Sequence, residues 1–383
     1  MRTYTVNSHW TTFGRSHLVA AVVLFTVATA IADDVRWLAE VTTPPASRNE
    51  AQDHSAALAP LLVDTEGQPI TTWSAWEKQR QVVRDEWLKF LGAMPSPRPP
   101  VKLEVLKTEQ CEQFVRSLVR YEGEPGLWVE GYLLVPPGAT QDSPRPGVIA
   151  LHATTTETID GIAGLTGPAH AQIGKLLAER GFVVFCPRCF LWQDATDYDQ
   201  AVAHFRQRHP DTRGMSKMLY DAMRAVDVLE SLPYVDKQRL ASVGHSLGAK
   251  ETLYLAAFDE RIQAAVASEG GITLPSTNWD APWYLGPAIH DAAFRLNHHQ
   301  LLALIAPRPF LVLGGETGPG AADGDRSWPL IEAAVPVWKL SGAPIRLGLY
   351  NHHQGHSLSP ESFARMAEWL AVYLHFAPTP VTQ

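Results

Sequence analysis

Apolar positions along the chain change their period twice. Between Trp73 and Leu91 they recur at helical spacing (Trp76, Val83, Trp87, Phe90, Leu91), and the run stops at Gly92 and a proline cluster over 95–100. That predicts a leading helix. From Val101 the period becomes two (Val101, Leu103, Val105), and alternating runs follow over 114–121 and 127–135, with turn residues between them at 123–126. These predict antiparallel strands at a sheet edge. Past residue 146 the pattern changes again. Short unbroken apolar runs at 147–151, 182–185, 240–243, 264–267, 310–313 and 345–350 alternate with helical patterns such as 170–180, 215–232 and 362–374. Unbroken apolar strands fit burial on both faces. Strand and helix in alternation predict an α/β fold, a mostly parallel central sheet with helices on both faces.

Composition narrows this picture. The chain has 383 residues, 45% apolar and 19% charged, enough for a sizeable core. Net charge is -8 with no dense Lys/Arg run, which excludes a nucleic-acid footprint. The first 32 residues read as an export signal. Arg2 and Arg15 are their only charges, 18–30 is apolar, and Ala30-Ile31-Ala32 precedes Asp33-Asp34 like a cleavage site. The run is short for a membrane span, so a secreted or periplasmic protein without a stable anchor is expected, an uncleaved anchor being the alternative. The expected organisation is a signal at 1–32, an extension at 33–100 that is loosely ordered to about 60 before the leading helix, and a catalytic domain at 101–383. Three cysteines allow one internal pair at most, and Cys186-Pro187-Arg188-Cys189 directly follows a predicted strand, which favours a structural or incidental role.

The chemistry centres on Gly244-His245-Ser246-Leu247-Gly248, which lies between the strand-like run 240–243 and a helical pattern. Serine at the apex of a strand–turn–helix, flanked by glycines, is the setting of an activated nucleophile; the plain alternative is a Gly/Ser packing turn. A serine hydroxyl needs a base, and the base needs an orienting acid. Of fifteen histidines, His356 stands just past the last strand and before the last helix, and is preferred as base over His352 and His353. For the acid, Asp323 is the first choice, in the glycine-rich loop after the 310–313 run. Asp325, better suited to a helix N-terminus, Glu316, and Glu269 in Ser268-Glu269-Gly270-Gly271 remain open. An oxyanion needs two backbone donors. Leu247 is one by position, and Thr154, after the 147–151 strand, is the expected second. Trp279, Trp283 and Tyr284, with Trp192 in the loop after Cys189, fall in loops above the serine, where they could stack on a sugar or aromatic acyl group or simply pack.

On these residues, the chain from about 101 to 376 resembles the α/β-hydrolase superfamily. Leu301-Leu302-Ala303-Leu304-Ile305-Ala306-Pro307-Arg308-Pro309 and the Trp-rich leading helix are similar to the dienelactone-hydrolase-like and acetyl-xylan-esterase-like branch. There is also a partial resemblance to glucuronoyl esterases: Lys250 four residues after the serine, Phe258-Asp259-Glu260-Arg261, and Glu269-Gly270-Gly271, although Leu247 stands where those enzymes usually carry Arg. The resemblance implies Ser246, an acid and His356 as a triad, with no metal or organic cofactor. It further implies Lys250 on a substrate hydroxyl and Glu269 as a possible acid. The expected activity is acyl-serine hydrolysis of an acetyl or uronate ester, on a small molecule or a plant or algal polysaccharide. The rivals are a dienelactone-hydrolase-like enzyme, a prolyl-oligopeptidase-like peptidase, whose usual propeller has no room here, and a non-catalytic binding protein of the same fold.

Overall fold

Nine strands share one sheet in the computed structural model, which describes residues 33–46 and 58–379. They are β1 (Leu103–Gln110), β2 (Val115–Glu124), β3 (Leu127–Val135), β4 (Arg145–Leu151), β5 (Val183–Pro187), β6 (Val235–His245), β7 (Ile262–Ser268), β8 (Phe310–Gly314) and β9 (Leu347–Asn351). Their spatial order is β1-β2-β3-β5-β4-β6-β7-β8-β9. The β1–β2, β2–β3 and β3–β5 pairs are antiparallel, and the remaining pairs are parallel. The export signal expected at 1–32 lies outside the described residues.

The helices are α1 (Leu38–Thr42), α2 (Trp73–Leu91), α3 (Thr158–Ile162), α4 (Ile173–Ala178), α5 (Tyr198–Arg208), α6 (Gly214–Ser231), α7 (Leu247–Phe258), α8 (His298–Ile305), α9 (Trp328–Ser341) and α10 (Pro360–Tyr373). Strand side chains alternate between the two faces, so each apolar run feeds two cores. Ile149, Phe185, Leu240, Ala265 and Val312 join a core with α2, α6, α7, α8 and α9. Their neighbours Val148, Val184, Ala241, Val266 and Leu311 join a second core with α1, α4 and α10. This is why the central strands read as unbroken apolar runs.

The leading helix α2 has the predicted bounds. Thr72 Oγ1 accepts the Ala75 N–H at its start, and Gly92, at φ 85°, ends it. Its Trp76, Val83, Trp87 and Leu91 are buried in the larger core, and Trp87 Nε1 donates to Gln300 Oε1 at 3.1 Å. Residues 33–46 depart from the loose segment expected there. Val35 and Val41 are buried, and Arg346 Nε donates to Asp34 Oδ1 at 2.7 Å. Trp37 also stacks on Trp369, so the segment is held by contacts with residues far along the chain that no local period signals. The helix expected over 170–180 is a 3-10 turn at Ala169–Ala171 followed by the short α4. Among the described residues, no helix is long and apolar enough to cross a membrane.

All six parallel strands end on one edge of the sheet. The β4, β5, β6, β7, β8 and β9 exit loops therefore converge, the usual place for ligands in such sheets.

Candidate active site

Ser246 is the hinge between β6 and α7, with φ 59° and ψ −116°. A non-glycine residue held at positive φ is strained, and such strain persists where the surroundings over-determine it. Here the surroundings are backbone. A Cβ on Gly244 would come within 2.2 Å of the Gly248 carbonyl, and one on Gly248 within 2.1 Å of Leu151 O. Both glycines are required by this close approach. Ser246 N donates to Ser268 O at 2.8 Å, which ties the elbow to β7. Leu247 begins the twelve-residue α7, so its N–H sits at the positive end of a helix dipole.

His356, from the loop after β9, lines both cavities that open at Ser246. The carboxylate beside it belongs to Glu269, at the end of β7 and also at positive φ (56°). His356 Nδ1 lies 3.7 Å from Glu269 Oε2, and His352 Nε2 lies 3.1 Å from Glu269 Oε1. Oε2 also accepts the Ala322 N–H at 2.7 Å. Burial alone would raise the Glu269 pKa, but His352, His356 and the 322–323 amides outweigh it and hold the group below the ordinary carboxylate value. His245, beside the serine, does the opposite. Burial first, then the proximity of His356, pushes it down to about 3, so it stays neutral; its ring centroid is 4.9 Å from that of His356.

Asp323, the first-choice acid, does not approach His356. Its carboxylate is fully buried and accepts the Gly271 and Ile272 N–H groups at 2.8 and 2.9 Å and the Ser327 hydroxyl at 2.7 Å. Asp325 does not cap α9 either: it accepts from Asn351 Nδ2 at 2.8 Å. Glu316 Oε2 takes the Asp325 N–H and Asn351 Nδ2. These three acids lace the loop after β8, and the carboxylate turned toward the histidines comes from the neighbouring strand.

The two cavities differ. One, of about 330 Å³, is polar, lined by Lys250, Glu269, Thr277, Asn278, Trp283 and Tyr284 among others. The other, of about 250 Å³, is mainly apolar, with Leu151, Ile162, Ala171, Ile173 and Leu358 in its wall. Thr154, the expected second oxyanion donor, borders both. Behind it, His152 is locked neutral: burial pushes its pKa to about 4, and Nε2 accepts the Cys189 N–H at 3.1 Å.

Lys250 faces the polar cavity but is already well held. Its ammonium donates to Gly270 O at 2.7 Å and to Thr277 Oγ1, and sits 3.9 Å from the centre of the Trp279 ring. Burial pushes its pKa down to about 7, against the opposing charge of Asp323. Trp279 is wholly buried, with Nε1 on Gly271 O at 2.6 Å; it is a floor beneath Lys250 and offers no face for stacking. Trp283 does line the cavity. Trp192 instead packs on His152 and Tyr198. The Phe258–Arg261 stretch lies elsewhere, with Arg261 bonded to Asp227, Glu230 and Asp259. All three cysteines are free. Among the described residues, no cluster of three or more His, Cys, Asp or Glu side chains is arranged to hold a metal ion.

Residues 129–303 match the family model described as "Dienelactone hydrolase family". The chain has the α/β-hydrolase fold. The chain is 24% identical over 351 residues to a 4-O-methyl-glucuronoyl methylesterase of Phanerochaete carnosa, covering 80% of the present chain and 79% of that one. Among solved structures it resembles a glucuronoyl esterase from Solibacter usitatus, with a TM-score of 0.68 at 18% identity, covering 86% of this chain and 99% of the other. A glucuronoyl esterase from Teredinibacter turnerae gives 0.64 at 19% identity, covering 86% and 93%.

Proposed function

We propose that the protein is an exported carboxylic-ester hydrolase that works through an acyl-serine on a uronate ester of a polysaccharide. The reading rests on one juxtaposition: Ser246, His356 and Glu269, from the ends of β6, β9 and β7, meet at the wall of one cavity large enough for a sugar. In this scheme His356 takes the Ser246 proton as Oγ attacks the acyl carbon. The Leu247 and Thr154 N–H groups hold the oxyanion. His356 then protonates the leaving alcohol and activates the water that releases the acid. Glu269, kept ionised by its donors, orients His356 and stabilises its charged form.

The polar cavity favours a uronate over an acetyl group. An acetyl group would leave most of its 330 Å³ unfilled, whereas a hydroxylated ring could meet Asn278, Thr277 and Lys250 and lie on Trp283. Lys250 is assigned to this substrate-facing wall. The likeness to glucuronoyl esterases points the same way.

The test compares a methyl glucuronate ester, acetylated xylan and p-nitrophenyl acetate with wild type and Ser246→Ala. The variant is expected to lose about 10⁴-fold or more in kcat. Equal rates for the two would overturn the nucleophile, and cleavage of the acetyl esters alone would overturn the acyl assignment.

A further inference from the structure

We propose that His352 is a positioning residue that extends the catalytic array to four members: Ser246, His356, Glu269 and His352. The inference rests on the reading of Glu269 and His356 given above. His352 is buried, with its backbone N–H on Gly314 O at 2.8 Å, so the exit of β9 fixes its place. Its Nδ1 accepts the Gln354 N–H at 3.2 Å. A neutral imidazole that accepts at one nitrogen carries its proton on the other. The proton therefore sits on Nε2, the nitrogen that lies 3.1 Å from Glu269 Oε1.

The carboxylate lies between two imidazoles, and both contacts are slack. Glu269 Oε1, His352 Nε2 and His356 Nδ1 are all buried, and none has an aligned hydrogen-bond partner. Buried polar atoms are costly unless paired, and catalytic hydrogen bonds often tighten only when substrate is bound. Among the described residues, no other donor reaches Oε1. Gly315 closes that side, since a Cβ there would lie 2.7 Å from Oε1 and 2.8 Å from His352 Cε1. The other groups facing the carboxylate are His356, the 322–323 amides, the neutral His245 ring and Asp323. His352 is thus the donor that can set the plane of the carboxylate so that Oε2 meets His356.

The experiment uses His352→Gln, which keeps an N–H at the Nε2 position, and His352→Leu and His352→Phe, which remove it. Each is assayed on p-nitrophenyl acetate and on a methyl glucuronate ester. The Leu and Phe variants are expected to lose about 10- to 100-fold in kcat with little change in KM on both substrates, and the acid limb of the pH profile should move to higher pH. That direction follows because Glu269 loses a donor that favours its ionised form. The Gln variant should recover most of the rate and the original limb. Unchanged kcat and limb in folded Leu or Phe variants overturns the proposal, as do equal losses for Gln and Leu. If one apolar variant does not fold, the Gln variant against the other decides. Activity in wild type and its loss in Glu269→Ala separate failure of this inference from failure of the triad itself.

Discussion

Glu269 and Asp323 follow neighbouring strands, are both fully buried, and hold opposite positions in the site. Glu269 presents its carboxylate to two imidazoles and keeps a depressed pKa. Asp323 spends both oxygens on two backbone N–H groups and a hydroxyl, yet its pKa is raised, by burial first and then by the charge of Glu269. Each also holds the other's loop. The Glu269 carboxylate accepts from Ala322 N–H, and the Asp323 carboxylate accepts from Gly271 and Ile272 N–H. The difference lies in the donors. One acid has two imidazoles before it, the other two backbone amides and a hydroxyl.

The sharpest way to break this comparison is to delete each acid. Glu269→Ala should lower kcat by about 10³- to 10⁴-fold, as loss of a triad acid does elsewhere, while leaving thermal stability comparatively intact. Asp323→Ala should chiefly destabilise, by about 2–5 kcal/mol, because it orphans two buried amides and a hydroxyl. Its kcat should fall less, through disorder of the 269–272 turn. Steady-state kinetics and Tm measured together check this, and the reverse ordering would return Asp323 to the role of acid. Because the two loops share hydrogen bonds, the double variant should be clearly non-additive.

That exchange of roles marks where the sequence stopped being legible. The strand–helix alternation located all nine strands, and the glycine-flanked serine located the elbow, because both signals are local and periodic. The acid was not local. Asp323 and Glu269 both follow apolar strands, and only the three-dimensional path of 315–323 shows which carboxylate turns inward. Trp279 and Trp283 pose the same problem on a smaller scale: four residues apart in one loop, one becomes a buried floor and the other cavity wall. His352 sits in a run of histidines whose order along the chain carries no hint of which faces Glu269. The docking of 33–46 rests on Val35 and Val41, on Trp37 stacked against Trp369 and on the Asp34–Arg346 and Glu40–Arg365 ion pairs, long-range contacts that leave no local pattern.

Lys250 tests the turn that carries Glu269 from its other side, through its bond to Gly270 O. Lys250→Met is expected to lower kcat/KM on a methyl glucuronate ester by about 10- to 100-fold, and on p-nitrophenyl acetate much less. Its stability should also reveal the depressed pKa. With the folded value near 7 and an ordinary unfolded value of 10.5, the unfolded chain binds more protons between those limits. Wild-type stability therefore rises with pH through that window, and the penalty for a buried ammonium is fullest below 7. The Tm of Lys250→Met relative to wild type should be more favourable at pH 6 than at pH 9.5. A gap that does not change with pH would show that the amine titrates normally.

The smallest expected effect comes from a third buried carboxylate, which supplies the control for the first two. Glu251 adjoins Lys250 on α7 and is likewise buried, but among the described residues no amide or histidine donates to its carboxylate. Burial pushes its pKa up to about 8, with the Cys189 thiol as the opposing hydrogen-bond donor and the charge of Asp221 adding to the rise. If donors decide what a buried carboxylate does, Glu251 should be protonated at neutral pH and play no part in catalysis. The folded value exceeds the unfolded one, so the native state binds more protons between 4.5 and 8. Its contribution is fully present below 4.5 and lost as pH rises through 8. Glu251→Gln, which mimics the neutral acid, should change kcat less than about twofold and stabilise the protein progressively more from pH 6 to pH 9, seen as a widening Tm difference from wild type. A Tm difference that narrows toward pH 9 would mean that Glu251 is ionised and paired like Glu269, and that donor supply does not separate these sites.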